Sequence, residues 1–148
     1  MKFTKYFLLL LLSAGCSSVV LQPADYSWPV ESVMTVDQNG YVAEKRHSFS
    51  INVEPVFYDE FADSSKAIGQ EIRVIRNLSG FYYLTGAGFK NVYMFKPVAG
   101  GMLLEDKIAV SDSLALASPV FNQRTPNIEL LDGSNKYLLT SNGIVRPK

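Results

Sequence analysis

Residues 48–54 read Ser48-Phe49-Ser50-Ile51-Asn52-Val53-Glu54, polar and apolar side chains alternating at every step. Successive side chains of an extended chain point to opposite faces, so this run predicts a strand with Phe49, Ile51 and Val53 inward and the polar set outward. Upstream, Val30, Ser32, Met34 and Val36 share one parity in a first candidate strand that ends at Asp37-Gln38-Asn39-Gly40. A glycine there suits a turn that needs positive φ, and a hairpin follows from it. Downstream, Pro55 limits sheet pairing, residues 56–58 are expected to continue as an edge, and residues 60–67 are the one place that suggests a short helix or helical turn.

The same period-two pattern runs through the remainder. Residues 70–75 predict a strand, Asn77-Leu78-Ser79-Gly80 a turn, and residues 81–85 a strand that Gly86-Ala87-Gly88 breaks. Residues 91–96 form the next strand, closed by Pro97 and Gly100-Gly101; residues 102–104 and 107–110 then read as a hairpin or one bent strand. Residues 128–131 and 136–140 flank Asp132-Gly133-Ser134-Asn135, a hairpin signal, and Asn142-Gly143 introduces a last short strand at residues 144–145. Seven to nine short strands with turns at close intervals predict an all-β fold: a single small β-sandwich or barrel-like domain over residues 28–148.

The first sixteen residues have a different character. Lys2 and Lys5 form a positive start, residues 7–12 an apolar stretch, and Ser13-Ala14-Gly15 a run of small residues ending at Cys16. This segment resembles a bacterial lipoprotein signal peptide, although Ser13 stands where leucine is commonest. The resemblance implies that residues 1–15 are removed, that Cys16 becomes the acylated N-terminus, and that residues 16–27 form a lipidated tether. The apolar run falls well short of the roughly 20 residues of a spanning helix. Ser17 stands where an aspartate would signal inner-membrane retention, so the resemblance implies lipid anchoring in an outer membrane, with the domain facing periplasm or cell surface. Residues 17–27 stretch to at most about 35–40 Å, which keeps the domain near the bilayer.

Composition fits that reading. Cys16 is the sole cysteine, so the domain folds without a disulfide, and 133 residues from Cys16 onward suffice for one core and a monomeric domain. Acidic and basic residues number 14 each, and losing Lys2 and Lys5 leaves 12 against 14. The resulting −2 argues against nucleic acid as an electrostatic partner.

Residues that could carry chemistry are few. His47 is the sole histidine, it follows Lys45-Arg46, and no serine sits in a G-x-S-x-G turn, so catalysis is not expected and a solvated hairpin position is. One histidine and one lipidated cysteine cannot build a zinc site, and Asp59, Glu60 and Asp63 lack the spacing of a calcium loop, so no metal or cofactor is expected. Gly86-Ala87-Gly88 lacks the following helix of a phosphate loop. The unusual feature is aromatic: Phe81, Tyr82, Tyr83, Phe89, Tyr93 and Phe95 fall within fifteen residues. Alternation with Val92 and Met94 predicts that Tyr93 and Phe95 leave the core, and Tyr82 likewise opposes Tyr83. Tyr82, Tyr93 and Phe95 are therefore the candidate partner-binding residues, since exposed rings give large contact area at small entropy cost. The function expected is a noncatalytic envelope lipoprotein, an accessory or docking component of a secretion, adhesion or appendage complex. The alternative is a ligand-binding lipoprotein for a glycan, a lipid or an inhibitor target. A free sheet edge or flat aromatic face favours the first and an apolar pocket the second.

Overall fold

The structure, a computed structural model, describes residues 27–111, 113–140 and 143–145. Cys16, the signal segment and all but the last residue of the tether lie outside the described residues. Eleven strands fall within them. A five-stranded antiparallel sheet runs in the order β1 (Ser32–Thr35), β4 (Glu71–Arg76), β5 (Tyr82–Gly86), β6 (Asn91–Val98), β7 (Gly101–Ala109). A four-stranded sheet is ordered β11 (Gly143–Val145), β10 (Asn135–Thr140), β9 (Asn127–Asp132), β8 (Pro119–Arg124), and β2 (Tyr41–Glu44) pairs with β3 (Phe49–Asn52) as a separate hairpin. No sheet closes on itself, so the fold is an open, sandwich-like all-β domain and not a barrel. The count exceeds seven to nine partly because β2 and β8 lie outside the predicted strands; β8 alternates in burial, but begins at a proline and has Phe121 as its one large apolar inward side chain.

The turn after β1 forms as its residues dictate. Asp37 Oδ1 accepts from the N–H groups of Asn39 (2.8 Å) and Tyr41 (2.9 Å), and Gly40 takes φ +77°. The torsion favours glycine, and a Cβ there would also have to displace the Glu54 side chain, whose Cγ would lie 2.3 Å away. The turn does not join β1 and β2 in one ladder; it carries the chain out of the large sheet into the β2–β3 hairpin. Phe49 and Ile51 are half-buried and Ser50 and Asn52 exposed, the alternation that residues 48–54 predict.

That strand ends at Asn52, and residues 56–58 do not continue as an edge: they belong to α1 (Glu54–Phe61), which follows Val53. Pro55 is the reason, since in the first helical turn its missing N–H is not needed and its fixed φ suits the helix. Asn52 Oδ1 accepts from Glu54 N (2.9 Å), which supplies the start. Val53, Val56, Phe57 and Phe61 then recur at helical spacing, and Phe57 and Phe61 meet Phe89 edge-on at 5.2 and 5.3 Å. Residues 60–67 hold the end of α1 and the expected helical turn, a 3-10 turn at Ser64–Ala67 capped by Asp63.

Val30 departs from the predicted parity. Ser32, Met34 and Val36 are buried, but Val30 is 60% exposed and bridges to Asn122 of β8. Residues 27–31 run between the two large sheets. Trp28 N donates to Arg76 O, Gln123 Nε2 donates to Trp28 O and Arg76 O, and Glu31 joins Arg73 on one side and Phe121 N on the other. The point where the chain enters the domain is thus tied to both sheets.

The large sheet is enclosed on both faces. Directly paired residues share a face, so Met34, Ile72, Val74, Leu84, Tyr82, Tyr93 and Phe95 form one set and Ile75, Tyr83, Thr85, Val92 and Met94 the other. The β2–β3 hairpin and α1 cover the first. Phe121, Ile128, Leu130 and Leu139, on one face of the four-stranded sheet, complete a single apolar core with the second. Each such side chain contributes about 1.5–3 kcal/mol on full burial, which is how the domain does without a disulfide.

Candidate docking site

Of the three aromatic residues singled out, Tyr93 does not leave the core. It is 1% exposed, packed against Phe89 with ring centroids 6.1 Å apart and roofed by α1. The alternation argument assumes one covered face, and the hairpin and helix cover the other as well. Tyr82 and Phe95 are half-buried on the same face, where Tyr82 meets Trp28 (5.4 Å) and Phe49 (6.2 Å) edge-on. The predicted ladder is therefore split: Tyr93 anchors α1, whereas Tyr82 and Phe95 line a cleft.

That cleft, of about 340 Å³, lies between the β2–β3 hairpin, the start of α1 and strands β5 to β7. Tyr41, Ile51, Val56, Tyr82, Phe95 and Met102 give it an apolar wall, Ser50 and Asn52 add polar groups, and no charged side chain lines it. Gly100 and Gly101 stand at its side, and a Cβ on either would meet nothing within 4 Å.

Beside the cleft, β6 and β7 run on past the end of β5 as a two-stranded ribbon. Tyr82, the first residue of β5, pairs with Phe95, so residues 96–98 of β6 pair only with β7. Among the described residues β7 pairs with β6 alone, and β11 lies close to part of it without pairing. Val98, Leu103 and Leu104 on this ribbon are 46%, 56% and 45% exposed. Met94 pairs with Asp106 and Phe95 with Leu104, so Glu105 is the extra residue of a bulge. Residues 102–104 and 107–110 are accordingly one bent strand rather than a hairpin. Bulges and charges blunt an edge against pairing. Here the bulge divides β7 into a charged part, Glu105, Asp106 and Lys107, and an apolar part, Met102, Leu103 and Leu104, that carries neither device.

The titratable residues are engaged in holding elements together. Tyr93 Oη lies 2.8 Å from both Asp59 Oδ2 and Glu60 Oε2, Lys107 Nζ is 2.6 Å from Asp59, and Glu60 also accepts from Asn91 Nδ2. These contacts fasten α1 across β6 and β7. Lys107 first and Tyr93 second hold the Asp59 carboxyl below its usual range, against the upward effect of burial. The Tyr93 hydroxyl is pushed far up by burial and by the two carboxylates. Asp63 caps the 3-10 turn through Ser65, and among the described residues no group of three His, Cys, Asp or Glu is placed to hold a metal ion. His47 is not simply solvated: its ring stacks on Trp28 at 4.1 Å and 5°, and its backbone N–H donates to the buried Glu44 carboxylate.

Comparison with known proteins finds no matching family model, no matching curated protein and no matching solved structure. The ribbon had a trace in the sequence: Gly100-Gly101 between two apolar runs marks a tight turn, and three consecutive apolar residues at 102–104 do not fit a one-faced strand. The cleft had none, because its wall is gathered from separate elements spread between Tyr41 and Met102.

Proposed function

We propose that this chain is a noncatalytic lipoprotein of the cell envelope, anchored in the outer membrane through acylated Cys16, whose β domain docks a partner protein as an accessory component of a secretion, adhesion or appendage complex. The observation that carries the reading is the β6–β7 ribbon. It holds three exposed apolar side chains on a projecting element beside an unpaired sheet edge, a feature typical of interaction sites and costly to leave uncovered. The short tether would hold that ribbon close to the membrane. Its test is a photo-crosslinking residue at Leu103 in the cell envelope, with Ser134 in the β9–β10 turn as control. Adducts to a discrete protein from position 103 alone, lost on Val98→Lys with Leu104→Lys, are the expected result. Equal labelling from both positions would overturn the reading.

The cleft favours a second reading, a ligand-binding lipoprotein for an uncharged apolar molecule, since its volume is at the lower end of that of small-molecule sites. Native mass spectrometry of the chain extracted from its membrane separates the two: a stoichiometric small molecule that Phe95→Ala releases supports binding, and its absence supports docking.

A further inference from the structure

We propose that the partner is held by strand addition: an extended segment of the partner pairs antiparallel with residues 101–104 of β7, basic residues preceding apolar ones that alternate along it. The inference rests on the docking reading and specifies its geometry. Strand addition needs a row of unpaired backbone groups for affinity and a pocket for alternate side chains for specificity. Both occur together here. The outer edge of β7 carries no strand pairing among the described residues, β11 lying near it unpaired, and Met102, on that strand, lines the apolar cleft. Gly100 and Gly101 present no side chain to an approaching backbone, and the space beside each is clear to 4 Å.

The direction follows from charge and from the sheet. Every pairing in the large sheet is antiparallel, so an added strand enters with its N-terminal end beside the C-terminal part of β7. There Glu105 and Asp106 are exposed, while the Lys107 ammonium is taken up by Asp59. The single cation of the ribbon, Lys96, stands opposite Leu103 at the apolar end. A segment with lysine or arginine first and alternating apolar residues after meets anions and then Leu104, Leu103 and Met102. The reverse order sets its cations beside Lys96. The bulge at Glu105 limits the ladder to the apolar part, so the paired stretch is short and the contact suits a reversible partner.

The experiment uses the lipidated full-length chain in detergent micelles and an N-acetylated peptide of two lysines followed by alternating valine and threonine. Hydrogen exchange read by mass spectrometry is expected to slow at residues 101–104 when the peptide is added. Alternate N-methylation of the peptide backbone, which removes ladder bonds and leaves side chains in place, is expected to weaken binding about tenfold. Glu105→Lys with Asp106→Lys is expected to weaken it similarly and to restore it for a peptide with glutamates in place of lysines. Both positions are exposed, and unchanged fluorescence of Trp28, the sole tryptophan, confirms that the variant is folded. Exchange unaltered at residues 101–104, equal binding of the N-methylated peptide, or equal binding of the reversed sequence each overturns strand addition. Adducts at Leu103 in the envelope together with any of these leave docking intact and remove only its strand geometry; slowed exchange without envelope adducts does the opposite.

Discussion

Glu44 is a carboxylate buried on β2, and three donors decide its state. Burial alone pushes the carboxyl up. Hydrogen bonds from Arg46 Nε (2.8 Å), His47 N (2.7 Å) and Ser32 Oγ (3.0 Å) outweigh it and hold the group at about 2, against an ordinary 4.5. A carboxyl depressed by folding contributes stability that is complete above its unfolded pKa and lost as pH falls through the folded one. Urea midpoints followed by Trp28 fluorescence should therefore decline as pH drops from about 4.5 towards 2. Glu44→Gln should flatten that segment and lower stability at neutral pH by about 1–3 kcal/mol, because it leaves the Arg46 and His47 donors poorly matched. A second residue-scale effect has the opposite sign. Ala62 ends α1 at φ +55°, where glycine carries no penalty. Ala62→Gly should raise the unfolding free energy by roughly 0.5–1 kcal/mol; a lower urea midpoint would contradict the strain assigned to that cap.

At the scale of elements, α1 depends on Tyr93. Its ring packs against Phe89, which in turn meets Phe57 of the helix, and its hydroxyl meets Asp59 and Glu60 there. Tyr93→Phe keeps the ring and removes the hydroxyl, and should lower stability by about 1–3 kcal/mol. Tyr93→Ser removes both and should cost about 3–5 kcal/mol, like other large-to-small changes in a core. Denaturant melts of the two variants separate packing from hydrogen bonding, and equal losses would show that the ring contributes nothing. The helix also illustrates how far local signals reach. Pro55 reads as a strand breaker if the preceding alternation is extended through it, and as a first-turn proline if the spacing of Val53, Val56, Phe57 and Phe61 is weighed instead. Both signals were in the sequence, and the second matches the fold. Strand β8 is different, since its clearest inward side chain, Phe121, is a single residue with no alternation of apolar and polar types around it.

For the whole molecule, the proposed anchor and the ribbon give one expected behaviour. Cys16→Ala should abolish labelling by a fatty-acid probe and release the chain from membranes, while its circular dichroism stays that of a β domain. Persistent labelling would remove the lipoprotein reading. The sequence by itself determined the class of fold, because side-chain alternation is a property of each extended segment and needs no partner. It also determined most turns, where Asp37, Gly40, Asn77 and Gly133 supply the conformations required. Only the tertiary structure decided which alternating face meets solvent. Strands β4 to β6 carry apolar residues in both parities, and whether Tyr93 or Val92 is outermost depends on what other segments lie above each face. The helix that roofs Tyr93 arrives from residues 54–61, so no local pattern could exclude it as a contact residue. The unpaired edge is equally a global outcome: β7 is available because nothing among the described residues pairs beyond it, and strand order is fixed by packing over the whole chain rather than by any one stretch of it.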